Sequence, residues 1–231
     1  MRQSNFPAII LLNLLGLCLF FSWYLPVNHG FWFSLDKSIF YSFNHEMVKS
    51  HAFAVFVAIT NYRGFDIVSF LAMAAYFYSF WRQKDHKGRM WMLALGITML
   101  ITAVVLNQLG HLIPVSHRSP SLFFADAQRA GLLTGIHTKD GSADSFPGDH
   151  GMMLMIYACF MGRYFGRKAF VVGLIILGVF ALPRVMVGAH WFTDISVGSL
   201  SVVLVGMSWC LLTPLTDILI DKIYRKLPGV Q

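Results

Sequence analysis

The chain has 231 residues, 56% of them hydrophobic and only 13% charged, with a formal net charge of +7. A soluble domain carries about 25% charge, and the long unbroken apolar runs here argue against a soluble globule. The basic excess does not mark a nucleic-acid binder, because Lys and Arg lie in short loops between apolar runs rather than on one polar face.

In chain order, a charge-free run of about 18 residues reads as a membrane helix. Ile9–Val27, Met90–Leu109 and Ile195–Leu215 meet that test. Phe65–Trp81 carries Asp66 near one end, and Gly151–Phe165 carries Arg163 near its far end. Ala169–Pro183 is short but extends through Val185–Ala189. The expected fold is all-α: one membrane-embedded domain over 1–231, a polytopic bundle of six transmembrane helices. The first run is followed by Tyr24-Leu25-Pro26-Val27, without a small-x-small cleavage pattern, so it reads as a retained span. Cys18, Cys159 and Cys210 lie far apart inside apolar runs and read as packed core thiols, with no zinc-type spacing.

Basic residues set the orientation. With the N-terminus in the cytoplasm, segments 1–8, 82–89, 163–168 and 216–231 are cytoplasmic. They hold Arg2, Arg82, Lys84, Lys87, Arg89, Arg163, Arg167, Lys168, Lys222, Arg225 and Lys226, as the positive-inside rule requires. Both termini are then cytoplasmic. The other face carries a connector of about 28–64 and a loop of about 110–150. The connector is expected to be a partly helical stretch along the outer membrane surface, with a structural role. Arg118 and Arg184 serve no topology and lie close to apolar segments, which makes both functional candidates.

Three outward-facing stretches carry chemistry. In Pro183-Arg184…Gly188-Ala189-His190-Trp191-Phe192-Thr193-Asp194, the i, i+4 spacing of His190 and Asp194 puts both on one helix face. Asp194 can take a proton from one imidazole nitrogen and leave the other as a nucleophile, or the two can simply neutralise each other. Arg184 offers a planar fork to phosphate oxygens. In Asp144-Ser145-Phe146-Pro147-Gly148-Asp149-His150, Pro147 and Gly148 set a turn and the amides around Gly148 form an anion site at a helix start. His150 is the proton donor, or a bystander to a cap made by Ser145 or Asp149. In His111-Leu112-Ile113-Pro114-Val115-Ser116-His117-Arg118-Ser119-Pro120, Arg118 is a fixed cation for phosphate or an ordinary loop arginine.

These stretches resemble the three signatures of the type 2 phosphatidic acid phosphatase (PAP2) superfamily. Arg184-x5-His190-x3-Asp194 fits the last signature, though Pro183 stands where that signature has Ser. Pro147-Gly148-Asp149-His150 stands where the family has Pro-Ser-Gly-His. His111-x6-Arg118-Ser119-Pro120 stands where it has Lys-x6-Arg-Pro, with His for Lys and one extra residue before Pro. The resemblance implies a PAP2-like core, His190 as nucleophile assisted by Asp194, His150 as acid and base, and Arg118, Arg184 and Gly148 around the phosphate.

A narrower resemblance is to the branch that phosphorylates lipid A. It is carried by Ser22-Trp23-Tyr24-x-Pro26-Val27-Asn28-His29-Gly30, Thr138-Lys139-Asp140, Asp144 to Met152, Gly188 to Asp194 and Leu227-Pro228-Gly229. It implies undecaprenyl diphosphate as donor, the 1-phosphate of lipid A as acceptor, a bacterial inner-membrane location and a periplasmic site. Lys139, Asp149, Ser145 and His111 are then substrate-contact candidates, with Asp149 binding a sugar hydroxyl, pairing with Lys139 or an Arg, or capping a helix. No cofactor and no metal are expected, and no His-Glu-x-x-His cluster is present. A small regulatory membrane peptide suits such an enzyme, but no residue points to one. The same residues would serve a hydrolase that uses water as acceptor. A transporter fits poorly, because transport sites lie near the midplane. A metal-dependent hydrolase built on His150, His190, Asp149 and Asp194 would be sensitive to chelators.

Overall fold

The computed structural model describes residues 4–228. Arg2 and Gly229, which figure in the sequence readings, lie outside the described residues. The described chain is helical: α1 (Phe6–Tyr24), α2 (Phe31–Lys49), α3 (His51–Thr60), α4 (Phe65–Trp81), α5 (His86–His111), the short α6 (Pro120–Phe123) and α7 (Ala130–Thr134), then α8 (Asp149–Phe165) and α9 (Arg167–Met186). A π-helical turn, Asp194–Ser199, runs into α10 (Leu200–Leu212), and α11 (Leu215–Tyr224) ends the fold.

Local chemistry sets the ends of these helices. Asn5 caps α1 by accepting from Ala8 N–H at 3.3 Å, and Pro26 follows its end. Asp85 caps α5 through Gly88 N–H at 2.9 Å, and Ser50 caps α3 through Phe53 N–H at 3.2 Å. The run read as Ile195–Leu215 breaks at Thr213 because Pro214 cannot continue the ladder, so α11 is a separate helix.

Among the described residues, four helices are long and apolar enough to cross a membrane: Phe6–Tyr24, His86–His111, Arg167–Met186 and Asp194–Leu212. A fifth follows if α3 and α4, bent by 65°, form one broken span. The remaining segment read as a span is α8, with 17 residues. The outer faces of α1, α4, α5 and α9 expose Leu11, Leu14, Phe70, Leu71, Leu100, Val104, Val171 and Ile175. Such a continuous apolar surface is stable against lipid and costly against water. Cys18 also lies on the exposed face of α1 and is not a core thiol; Cys159 and Cys210 are half-buried.

The core is built around α8. Met152, Met155, Ile156 and Phe160 pack against Ala94, Leu95, Ala103 and Leu106 of α5 and Val203, Met207 and Leu211 of α10. Tyr157 and Met161 pack with Ala169 of α9. In lipid such packing holds by dispersion and fit rather than by exclusion of water. α1 lies along α10, joined by Asn13 Nδ2 donating to Ser208 Oγ at 2.8 Å and Asn5 N–H donating to Leu212 O at 3.0 Å. At one end of the bundle, Arg163 and Tyr164 of α8 clamp Asp217 of α11 at 3.1 and 2.7 Å. At the other end, the starts of α4 and α8, the ends of α5 and α9 and the turn before α10 converge beside the loop that joins α7 to α8.

The 28–64 segment is helical over most of its length. Asp36 of α2 is buried and accepts from both the N–H and the hydroxyl of Thr193, which anchors the turn ahead of α10. Burial pushes the Asp36 carboxyl up to about 6, against the pull of the two Thr193 hydrogen bonds. Asn61, at the end of α3, donates to Pro183 O at 2.9 Å and steadies the last turn of α9.

Candidate active site

The His190 turn is fixed before any side chain is considered. Gly188 has φ +76°, and an added Cβ would stand 2.7 Å from Phe40 Cε2, so only glycine serves there. The N–H groups of Ala189 and His190 both donate to Arg184 O at 3.1 Å. His190 therefore precedes the helix rather than lying on it. Asp194 reaches back to it, accepting from Trp191 N–H at 2.8 Å in the manner of a helix-start capping box. His190 and Asp194 do meet, with Nδ1 3.3 Å from Oδ2, by way of this turn and not by helical periodicity.

His190 Nδ1 also lies 2.9 Å from Ser145 O. A carbonyl oxygen only accepts, so Nδ1 carries the proton and Nε2 keeps its lone pair. The imidazole is thus held in the tautomer a nucleophile at Nε2 needs. Ser145 is itself held by its N–H and hydroxyl, which both donate to His117 O at 2.8 Å.

Asp194 is fully buried and well partnered. Beyond His190 and Trp191 N–H, its Oδ1 lies 3.2 Å from His117 Nδ1. His117 stacks on Trp191 with ring centroids 5.2 Å apart, and Trp191 Nε1 donates to Arg118 O at 2.7 Å. Nothing in the local sequence assigns His117 a role, although it stands beside Arg118. Its partner lies 77 residues away, and no local pattern announces that contact.

A second cluster faces the first. Arg184 is buried, and its Nη2 donates to Asp66 Oδ1 at the start of α4. His150 Nε2 lies 3.1 Å from the same Asp66 oxygen and 3.4 Å from Arg184 Nη2. Asp66 is the other residue that sequence analysis left without a role. The available signal was an acid at one end of an apolar span, which is costly unless used. Arg184 Nη1 is buried with no hydrogen-bond partner among the described residues. A buried charged donor without an acceptor costs several kcal/mol (on the order of 1–3 and more for a charge), so a ligand oxygen is the natural partner.

One cavity of about 60 Å³ joins the two clusters. His190, His150, Arg184, Ser145, Lys139, Asp149 and His111 all line it. Arg118 does not; its side chain is exposed. Gly148 does not offer its own amide, because that N–H donates to Asp194 O at 3.0 Å and an added Cβ would stand 3.1 Å from Ile195. Gly148 instead lets the α8 start approach the α10 start. The unpaired amides of the first turn are those of Asp149, His150 and Gly151. Asp149 accepts from Asn107 Nδ2 at 2.9 Å and pairs with His111 Nε2 at 3.0 Å, so its partner is neither Lys139 nor an arginine. The loop bearing Lys139 is held by buried Asp140, which binds Arg129 and Gly131 N–H. No group of three metal-ligating side chains occurs among the described residues.

An imidazole with one free nitrogen, a second imidazole, a buried guanidinium and helix-start amides meet around one small cavity, an arrangement chemically able to hold and transfer a phosphoryl group. The sequence model of the PAP2 superfamily matches residues 118–216, which span both clusters except Asp66 and His117. The chain belongs to the PAP2 superfamily. It is 57% identical over 227 residues to the lipid A 1-diphosphate synthase of Escherichia coli strain K12, covering 98% of this chain and 96% of that protein. No solved structure matches.

Proposed function

We propose that this protein is a membrane phosphotransferase that moves the terminal phosphate of undecaprenyl diphosphate to the 1-phosphate of lipid A. The products are lipid A 1-diphosphate and undecaprenyl phosphate. The single observation that carries the chemistry is the His190 tautomer, locked by Ser145 O and Asp194 with Nε2 free. The identity of donor and acceptor follows the relative of 57% identity.

In this reading His190 Nε2 attacks the terminal phosphorus and a phosphohistidine forms. Asp194 stabilises the imidazolium through Nδ1–H. Arg184 and the amides of Asp149 to Gly151 hold the phosphoryl oxygens, so catalysis is chiefly positioning and charge stabilisation. His150 protonates the leaving undecaprenyl phosphate. The lipid A 1-phosphate then attacks, and His150 takes back a proton. Arg118, exposed beside the loop, is assigned to the donor's inner phosphate. Lys139, His111 and Asp149 are assigned to the acceptor. The scheme uses no metal and no cofactor.

We place the site on the periplasmic face of the bacterial inner membrane, in one domain of six spans with both termini cytoplasmic. Two features support this. The site residues lie at the starts of α4, α8 and the Asp194–Leu212 helix and at the ends of α5 and α9, as alternating spans require. The basic groups Arg82, Lys84, Lys87, Arg89, Arg163, Arg167 and Lys168 lie at the opposite ends. The 17 residues of α4 and of α8 reach about 25 Å, at the short end of what spans a bilayer. The 28–64 connector and the 110–150 loop then cap the periplasmic end.

Product analysis with purified protein, labelled undecaprenyl diphosphate and defined lipid A tests the reading. Labelled lipid A 1-diphosphate is the expected product. Free phosphate released as fast without lipid A as with it would make the protein a hydrolase instead.

A further inference from the structure

We propose that Asp66 is the positioning residue for the proton donor His150, forming a second carboxylate–imidazole pair opposite Asp194–His190. The inference rests on the phosphoryl-transfer reading above and deepens it.

The geometry carries it. His150 Nε2 faces two groups of opposite character. Arg184 only donates, at 3.4 Å, and Asp66 only accepts, at 3.1 Å. The nearer partner is the acceptor, so the Nε2 proton belongs to the Asp66 bond. His150 Nδ1 has no hydrogen-bond partner among the described residues. The ring lines both the cavity shared with His190 and a neighbouring one of about 170 Å³ that holds Asp66, Ser69 and the apolar flank of α4. Asp66 thus holds one ring nitrogen and leaves the other without a partner among the described residues.

Electrostatics give Asp66 a reason to be there. His150 lies beside the Arg184 guanidinium, which opposes an imidazolium, and an acid needs its proton before the leaving group departs. A carboxylate in contact with both offsets part of the guanidinium's opposition to a protonated ring. The proton balance is complete. In the first step the P–O bond of the leaving group breaks, the bond from phosphorus to His190 Nε2 forms, and the His150 Nδ1 proton passes to the leaving oxygen. In the second step the P–N bond breaks, the acceptor O–P bond forms, and the acceptor's proton returns to Nδ1. The Nε2–H stays on Asp66 throughout.

The contact to Arg184 gives the test its sign. Asp66 puts negative charge beside the phosphate seat, so removing that charge should tighten phosphate binding while slowing turnover. General loss of structure would weaken both. The experiment compares wild type with Asp66→Asn and Asp66→Glu, reading kcat for transfer to lipid A and inhibition by orthovanadate. For Asp66→Asn the expected result is a kcat about tenfold or more lower, with vanadate inhibition at least as tight as wild type. Asp66→Glu should retain more kcat than Asp66→Asn. In a His150→Ala background, Asp66→Asn should slow transfer by less than it does in wild type. A kcat within twofold of wild type, weaker vanadate binding, an equal loss in the His150→Ala background, or failure of both variants to fold would each overturn the proposal. A wild-type protein without transfer activity would instead sink the phosphotransferase reading itself.

Discussion

His190 and His150 border the same cavity, yet they are held in opposite ways. His190 stands on a turn whose every polar contact comes from buried protein: Ser145 O, Asp194, and Arg184 O on its own amide. Asp194 beneath it is fully buried, with five contacts to its carboxylate and backbone oxygens from His190, His117, Trp191, Gly148 and Ser199. His150 stands on the first turn of α8, between Arg184 and a partly exposed Asp66, next to a second cavity. In the proposed mechanism the nucleophile keeps one tautomer and one orientation, while the proton donor gains and loses a proton.

Removing either side of this pairing separates the two roles. The largest effect belongs to His190→Ala, which should abolish both transfer and phosphoenzyme while the protein still inserts; recovery of labelled protein would break the assignment. Asp194→Asn should also be severe, yet less than the roughly 10⁴-fold loss seen when a triad carboxylate alone fixes the tautomer. Ser145 O still holds the Nδ1 proton here, so what disappears is charge stabilisation. His150→Ala should follow, slowing turnover by about 10²–10⁴-fold while single-turnover labelling of His190 still occurs, only slowly. A loss of labelling as complete as that of His190→Ala would erase the distinction between the two histidines.

His117→Phe probes the support beneath the nucleophile. It keeps a ring against Trp191 and removes one hydrogen bond to a buried carboxylate, a cost of about 1–3 kcal/mol. The expected loss in kcat is about tenfold, with a lower melting temperature; wild-type values for both would show that Asp194 does not need this partner.

How much of this was legible in the sequence follows from the range of each contact. The apolar runs showed α1, α5 and the Asp194–Leu212 helix, because a span must hide its backbone along its whole length, and read α9 (Arg167–Met186) as shorter than it is. They blurred the shorter α4 and α8, whose limits depend on what packs around them. His190, Asp194 and Arg184 stood out through their local spacing, and His150 through the Pro147-Gly148 turn just ahead of it. The reason given for the His190–Asp194 contact was not the operating one: a turn and a reach-back cap bring them together, not a helix face. Asp66 and His117 were hidden because their partners lie 118 and 77 residues away. The Gly148 amide looked free in the motif and is taken by Asp194 O, a contact between two helix starts that no linear pattern records.

The smallest effect comes from the connector. Asp36 has a folded pKa of about 6 against an ordinary 3.8, so the folded state binds more protons between about 4 and about 6. Stability from this group is therefore greatest below about 4 and falls as pH rises through that window. Asp36→Asn should flatten that part of the curve of melting temperature against pH. An unchanged slope would mean that Asp36 is not the titrating group.

The central claim is that the phosphoryl group rests on His190 Nε2 between donor and acceptor. The most direct measurement quenches the protein in base after brief exposure to donor labelled in its terminal phosphate, without lipid A, and maps the label by mass spectrometry. The account predicts label on His190 alone, chased into lipid A on addition of acceptor. Label on another residue, or transfer at full rate with none on the protein, would contradict it.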